Sequence, residues 1–164
     1  MKKNFYLLLL GLVISFSTII TSQEKPIQIA LFNPVQIFPD NTSIAGIRIN
    51  ILYGKNTNMV GFDWGFVNQT TGSQTGVQWG AINIVDNGFK GWQNGWANIT
   101  HGNSLGLQTG LVNYHGGYFN GLQWSLVNYA ETLKGLQLGL INIIGKGGFL
   151  PVFIFFNFDF NSHD

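Results

Sequence analysis

Small and bulky positions alternate along one short phrase that the chain repeats. Gly-Phe-Asp-Trp-Gly-Phe-Val-Asn begins at Gly61, and matching phrases begin at Gly76, Gly91, Gly106, Gly121 and Gly135. The starts from Gly61 to Gly121 lie 15 residues apart, and the step to Gly135 is 14. A looser copy, Gly-Ile-Arg-Ile-Asn-Ile-Leu-Tyr, precedes them from Gly46. A strict short period means one supersecondary unit reused. The two-residue alternation inside each copy predicts a β-strand rather than a helix. In the second copy Gly76, Gln78, Gly80 and Ile82 fall on one face, and Val77, Trp79, Ala81 and Asn83 on the other. The small face carries an amide at Gln78, Gln93, Gln108, Gln123 and Gln137.

Turn chemistry follows the strands, as in Asp86-Asn87-Gly88, His101-Gly102-Asn103 and His115-Gly116-Gly117. Such clusters supply the φ > 0 residues of tight hairpins. Strands are predicted at 26–33, 45–53, 59–68, 75–85, 89–98, 105–114, 119–129, 133–143 and, as the terminal strand, 149–160. The fold class expected is all-β: an antiparallel up-and-down meander of about 8–9 strands closing into a small barrel. A soluble β-sandwich or a β-solenoid is the alternative. The solenoid is disfavoured because the second half of each repeat holds few apolar residues for a second wall. A meander places His101 and His115 at opposite strand ends, ~30 Å apart, whereas a solenoid places them within one or two strand spacings of ~4.8 Å.

The bulky face sets the expected surroundings. About three large side chains per strand, Trp64, Trp79 and Trp124 among them, overfill a tightly closed barrel whose interior takes only about twelve. Turned outward they suit lipid, and Gly-Gln-Gly would line a narrow lumen. Strands of about 9–11 residues also match a tilted membrane crossing.

Export is expected from the first residues. Met1-Lys2-Lys3, an apolar run through Phe16 and small polar residues to Ser22 read as a signal peptide over 1–22, leaving 23–164 as one repeat-built β domain. The chain has no cysteine, which excludes lipidation at the cleavage point and any disulfide. Without the leader, six basic groups face seven carboxylates, a net charge of −1. That balance offers no electrostatic footprint for nucleic acid. Only 9% of residues are charged and 15% are aromatic, which fits a chain that meets lipid or leans on stacking and polar amides.

Catalytic chemistry is absent from the pattern. His101 and His115 fall in predicted turns, where solvation is expected, and no His/Cys spacing suits a transition metal. The carboxylates are scattered and no serine sits in a Gly-x-Ser-x-Gly context. No cofactor is expected. One polar pair stands out: Arg48, the only arginine, and Asp63 hold the same position in successive copies on the small face. An unpaired buried charge is heavily penalised, so a structural ion pair is expected.

The Gly-Leu-Gln-x-Gly-Leu-x-Asn copies, with Gly46 to Gly54 before them and the Phe-rich stretch from Pro151 after, resemble a family of bacterial surface-repeat proteins of spirochaete type. The resemblance covers about 26–160 and implies an exported, surface-associated chain whose family brings no catalytic residues. The alternating Val152, Ile154, Phe156, Phe158 and Phe160 also look like the last strand of an outer-membrane barrel. The function expected is that of a small outer-membrane or surface β-barrel with a structural role, no enzymatic activity and membrane lipid as partner. The alternative is a periplasmic or secreted binding module for a protein or glycan. A small lipid-modifying barrel enzyme is the weakest option.

Overall fold

The computed structural model describes residues 24–161. The predicted leader over 1–22 lies outside them. Nine strands form one sheet in the order β2-β1-β3-β4-β5-β6-β7-β8-β9. They are β1 (Lys25–Phe32), β2 (Val35–Gln36), β3 (Ile44–Asn56), β4 (Met59–Thr70), β5 (Ser73–Val85), β6 (Gly88–Thr100), β7 (Ser104–Trp124), β8 (Val127–Lys146) and β9 (Val152–Asp159).

The pairing is parallel and in register with the repeat. Gly61 pairs with Gly46, Gly76 with Gly61, Gly91 with Gly76 and Gly106 with Gly91. Each repeat is one coil stacked on the last, so the molecule is a β-solenoid. This overturns the antiparallel meander and the closed barrel. The alternation of small and bulky residues is common to both topologies; what separates them is whether like residues stack on like. Here Gln93 pairs with Gln78 and Asn98 with Asn83. Thr100 pairs with His115, so His101 and His115 lie in adjacent coils rather than at opposite ends. The nine expected strands survive in number but not in division. β7 runs on from one coil into the next and places Gly121 against Gly106. The terminal strand begins at Val152, not 149, because residues 147–151 form a loop over the end of the coil.

Within a coil, counted from the repeat glycine as position 1, the first wall runs from position 14 through position 4. The chain bends at positions 5 and 6, returns along a second wall to position 10, and turns at positions 11–13. The repeat glycines have φ between +115° and +147° at Gly46, Gly61, Gly76, Gly91, Gly106, Gly121 and Gly135. A β-carbon on any of the last six would overlap the carbonyl oxygen of the glycine one coil earlier. Coil stacking therefore demands glycine on two counts, conformation and space. The crowding at these glycines is between successive coils.

The bend also breaks the predicted alternation. Asn83, expected beside Trp79 on the bulky face, is fully buried, whereas Ala81 and Ile82 face outward. The second wall is built inward from this Asn row and from position 10. The second wall therefore needs few apolar residues, because stacked asparagines fill its interior side.

The ends are closed differently. β1 adds a parallel strand to β3, and β2 folds back on β1 as a two-residue hairpin arm. At the other end β9 lies antiparallel on β8, and the Asn157 side chain holds the backbone of Leu150 below it.

Candidate functional site

In the 15-residue coils from Gly61 on, four positions point inward: 3, 8, 10 and 14; in the 14-residue coil from Gly121 the last of them is Leu133, at position 13. Position 3 forms a glutamine column. Gln137 Nε2 donates to Gln123 Oε1, Gln123 to Gln108, Gln108 to Gln93 and Gln93 to Gln78, at 2.7–2.8 Å. Every donor in that column points toward the N-terminal end. Position 8 forms an asparagine column running the other way. Asn68 donates to Asn83, Asn83 to Asn98, Asn98 to Asn113, Asn113 to Asn128 and Asn128 to Asn142. The two rows of amide dipoles thus oppose and largely cancel. A buried amide left unpartnered costs about 1–3 kcal/mol, and the columns avoid that for nearly every coil.

The glutamine column needs an acceptor at its N-terminal end, and Asp63 supplies it. Gln78 Nε2 donates to Asp63 Oδ2 at 2.9 Å. Arg48 clamps the same carboxylate from the other side, Nε to Oδ1 at 2.7 Å and Nη2 to Oδ2 at 2.6 Å, with both side chains fully buried. The guanidinium also donates to Gln69 O and Thr70 Oγ1. The predicted pair is brought together as a bidentate ion pair capping a polar column. There is no lumen for it to line, since stacked side chains fill the interior.

Positions 10 and 14 fill the other half of the interior. Val85, Phe89, Phe119, Ala130, Leu133 and Ile144 make one buried apolar cluster there. His115 belongs to position 10 and is fully buried, its ring 5.0 Å from that of Phe119. The expectation of a solvated turn histidine is overturned, because β7 continues through His115, which pairs with Thr100 and takes that row's inward position. Neither ring nitrogen has a well-formed hydrogen bond. Burial pushes its pKa down to about 4, with the Tyr118 and Gly102 backbone offsetting part of the effect. His101 remains exposed beside it.

The outer surface inverts this arrangement. Over the amide half of the core lies an apolar outside, and over the apolar half lies a polar turn edge. From Phe62 to Asn142, positions 2–8 of the coils contain no ionisable side chain except the buried Asp63. Trp64, Phe66, Trp79, Trp96, Leu111 and Trp124 are instead 45–63% exposed there. They border a groove of about 840 Å³ that runs along the bend, floored by Gly65, Gly80, Gly95 and Gly110. Three of its lining residues are polar: Thr109 donates to Asn94 and accepts from Trp92 Nε1, and Ser125 donates to Val127 O and Asn128 Oδ1. Large contiguous apolar surfaces are the kind that serve as interaction sites in other proteins.

The second wall and turn edge hold the acidic groups. Tyr129 donates to Glu131 at 2.6 Å, and Lys146 pairs with Glu131 at 2.9 Å. The carboxylate holds the Tyr129 hydroxyl up to about 12, and that hydrogen bond with the Lys146 charge keeps Glu131 below its usual range. Gln69 bridges Tyr53 and Asp86 on the same wall.

Among the described residues no cluster of three or more His, Cys, Asp or Glu could hold a metal ion, and no helix is long and apolar enough to cross a membrane. Neither a family model, a curated protein nor a solved structure matches the chain. The asparagine column and His115 are the interior features that the strand pattern missed. The recurrence of asparagine at position 8 in every copy from Asn68 to Asn142 was the available signal.

Proposed function

We propose that the protein is an exported, non-enzymatic surface protein that lies on a membrane, the outer membrane of its cell, through the charge-free side of its solenoid. The observation that carries this reading is the segregation of charge. Exposed tryptophan, phenylalanine and leucine occupy one side over the whole stack, positions 2–8, while the exposed ionisable groups of the coils lie on the turn edge and along the rim of the first wall next to it. Aromatic and aliphatic side chains with no charge among them suit the boundary between headgroups and acyl chains. A filled solenoid has no channel and every coil turns back on itself, so the chain would rest in the interface rather than span it. Its role is then structural: a rigid, repeat-built cover on the surface.

A second reading, a secreted or periplasmic binding module, draws on the groove, whose glycine floor and aromatic rims could take an extended ligand such as a glycan. Cell fractionation separates the two. The mature chain is expected in the membrane pellet, released by detergent but not by high salt, and to float with liposomes on a density gradient. Recovery in the soluble periplasm or medium, with no flotation, would favour the binding module.

A further inference from the structure

The two walls are not equivalent toward a lipid surface. Outward side chains of the first wall stand at positions 15, 2 and 4. Four of the five tryptophans (Trp64, Trp79, Trp92 and Trp124) are there. Within the coils, the outward ionisable groups on that wall are both cations, Lys90 at position 15 and Lys134 at the matching place in the 14-residue coil, where it pairs with Asn120. Lys25 begins β1 opposite Ile44, with its ammonium 5.5 Å from the Phe38 ring. The second wall and the turns carry Asp86 and the Glu131–Lys146 pair, and the Asp40–Lys55 pair lies beside the N-terminal coils.

We infer that the first wall is the face that meets the membrane, and that the membrane it meets is anionic. The inference rests on the membrane reading above and adds an orientation and a lipid class to it. Tryptophan settles at the headgroup level, and lysines at the rim of an apolar face reach anionic headgroups while their stems cover apolar surface. Each lysine near an anionic surface strengthens binding about fivefold at moderate salt. Turning the second wall and its turn edge to the same surface would press Asp86 against like charge and bring no cation there beyond Lys146, which Glu131 already pairs.

The test is binding to vesicles of phosphatidylcholine alone and of phosphatidylcholine with phosphatidylglycerol. The wild-type chain is expected to bind the mixed vesicles at least tenfold more tightly, with the gain lost in high salt. Trp64→Glu should weaken that binding tenfold or more, while Tyr114→Glu on the second wall leaves it within about twofold. Lys90→Gln with Lys134→Gln should remove most of the phosphatidylglycerol gain and spare binding to phosphatidylcholine. Each variant is first checked for wild-type circular dichroism, and Trp64→Leu serves in place of a Trp64→Glu that does not fold. Equal loss from both glutamates, or equal affinity for the two vesicles, would overturn the orientation and the lipid class while leaving membrane association standing. Failure of the wild type to bind either vesicle would remove the membrane reading itself.

Discussion

Asp63→Ala is expected to destabilise the fold by about 3–5 kcal/mol, the range for leaving one partner of a buried ion pair without the other. Arg48 would keep its contacts to Gln69 O and Thr70 Oγ1 but lose both charged hydrogen bonds. Gln78 would lose its acceptor, so the glutamine column would also lose its end. The decisive companion is the double variant Arg48→Gln with Asp63→Gln. It removes both charges together and extends the column by two amides of the kind that fill position 3 in every later coil. Its cost is expected to be well under half that of Asp63→Ala. Chemical denaturation of the three proteins provides the comparison. A double variant as unstable as the single one would mean that the pair does more than cap the column.

Acid should unfold the protein through His115. The unfolded histidine takes up its proton near pH 6.5, but the buried ring does so only near pH 4. Between those values the unfolded chain binds more protons, so stability falls as the pH falls. The shift corresponds to about 3 kcal/mol at 1.36 kcal/mol per pH unit, present in full above pH 6.5 and lost by pH 4. His115→Val, which installs the residue type of Val85 in the same row, should flatten that part of the stability profile. A wild-type profile already flat from pH 7 to pH 4 would show that the ring is not buried as a neutral group.

The sequence foretold the repeat unit, the period, the strand content and the outward direction of Trp64, Trp79 and Trp124. It also foretold that Arg48 and Asp63 face each other, because equal repeat positions become neighbours in any regular array. Topology was not legible from the alternation. Asp86-Asn87-Gly88 has the composition of a hairpin turn, yet these residues serve a solenoid corner, where Asp86 N donates to Thr70 O of the coil before. The glycine at position 1 held the missing information. Its positive φ and the carbonyl oxygen pressed against it belong to coil stacking, and neither can be seen in residue order alone. Asparagine at position 8 misled for a related reason. A polar residue among bulky neighbours looks outward-facing until stacking gives each amide a partner in the next coil.

Parallel stacking of the repeats is the claim on which the surface, the ladders and the burial of His115 all depend. Because the chain has no cysteine, spin labels can be placed uniquely at Thr71, Asp86 and His101, which are exposed and occupy corresponding turns of successive coils. The solenoid predicts backbone separations of ~5 Å from 71 to 86 and ~10 Å from 71 to 101, increasing by one strand spacing per coil. An antiparallel meander would instead put 71 and 86 a strand length apart, ~30 Å, with 71 and 101 back at the same end. A long 71–86 distance with a short 71–101 distance would contradict the solenoid.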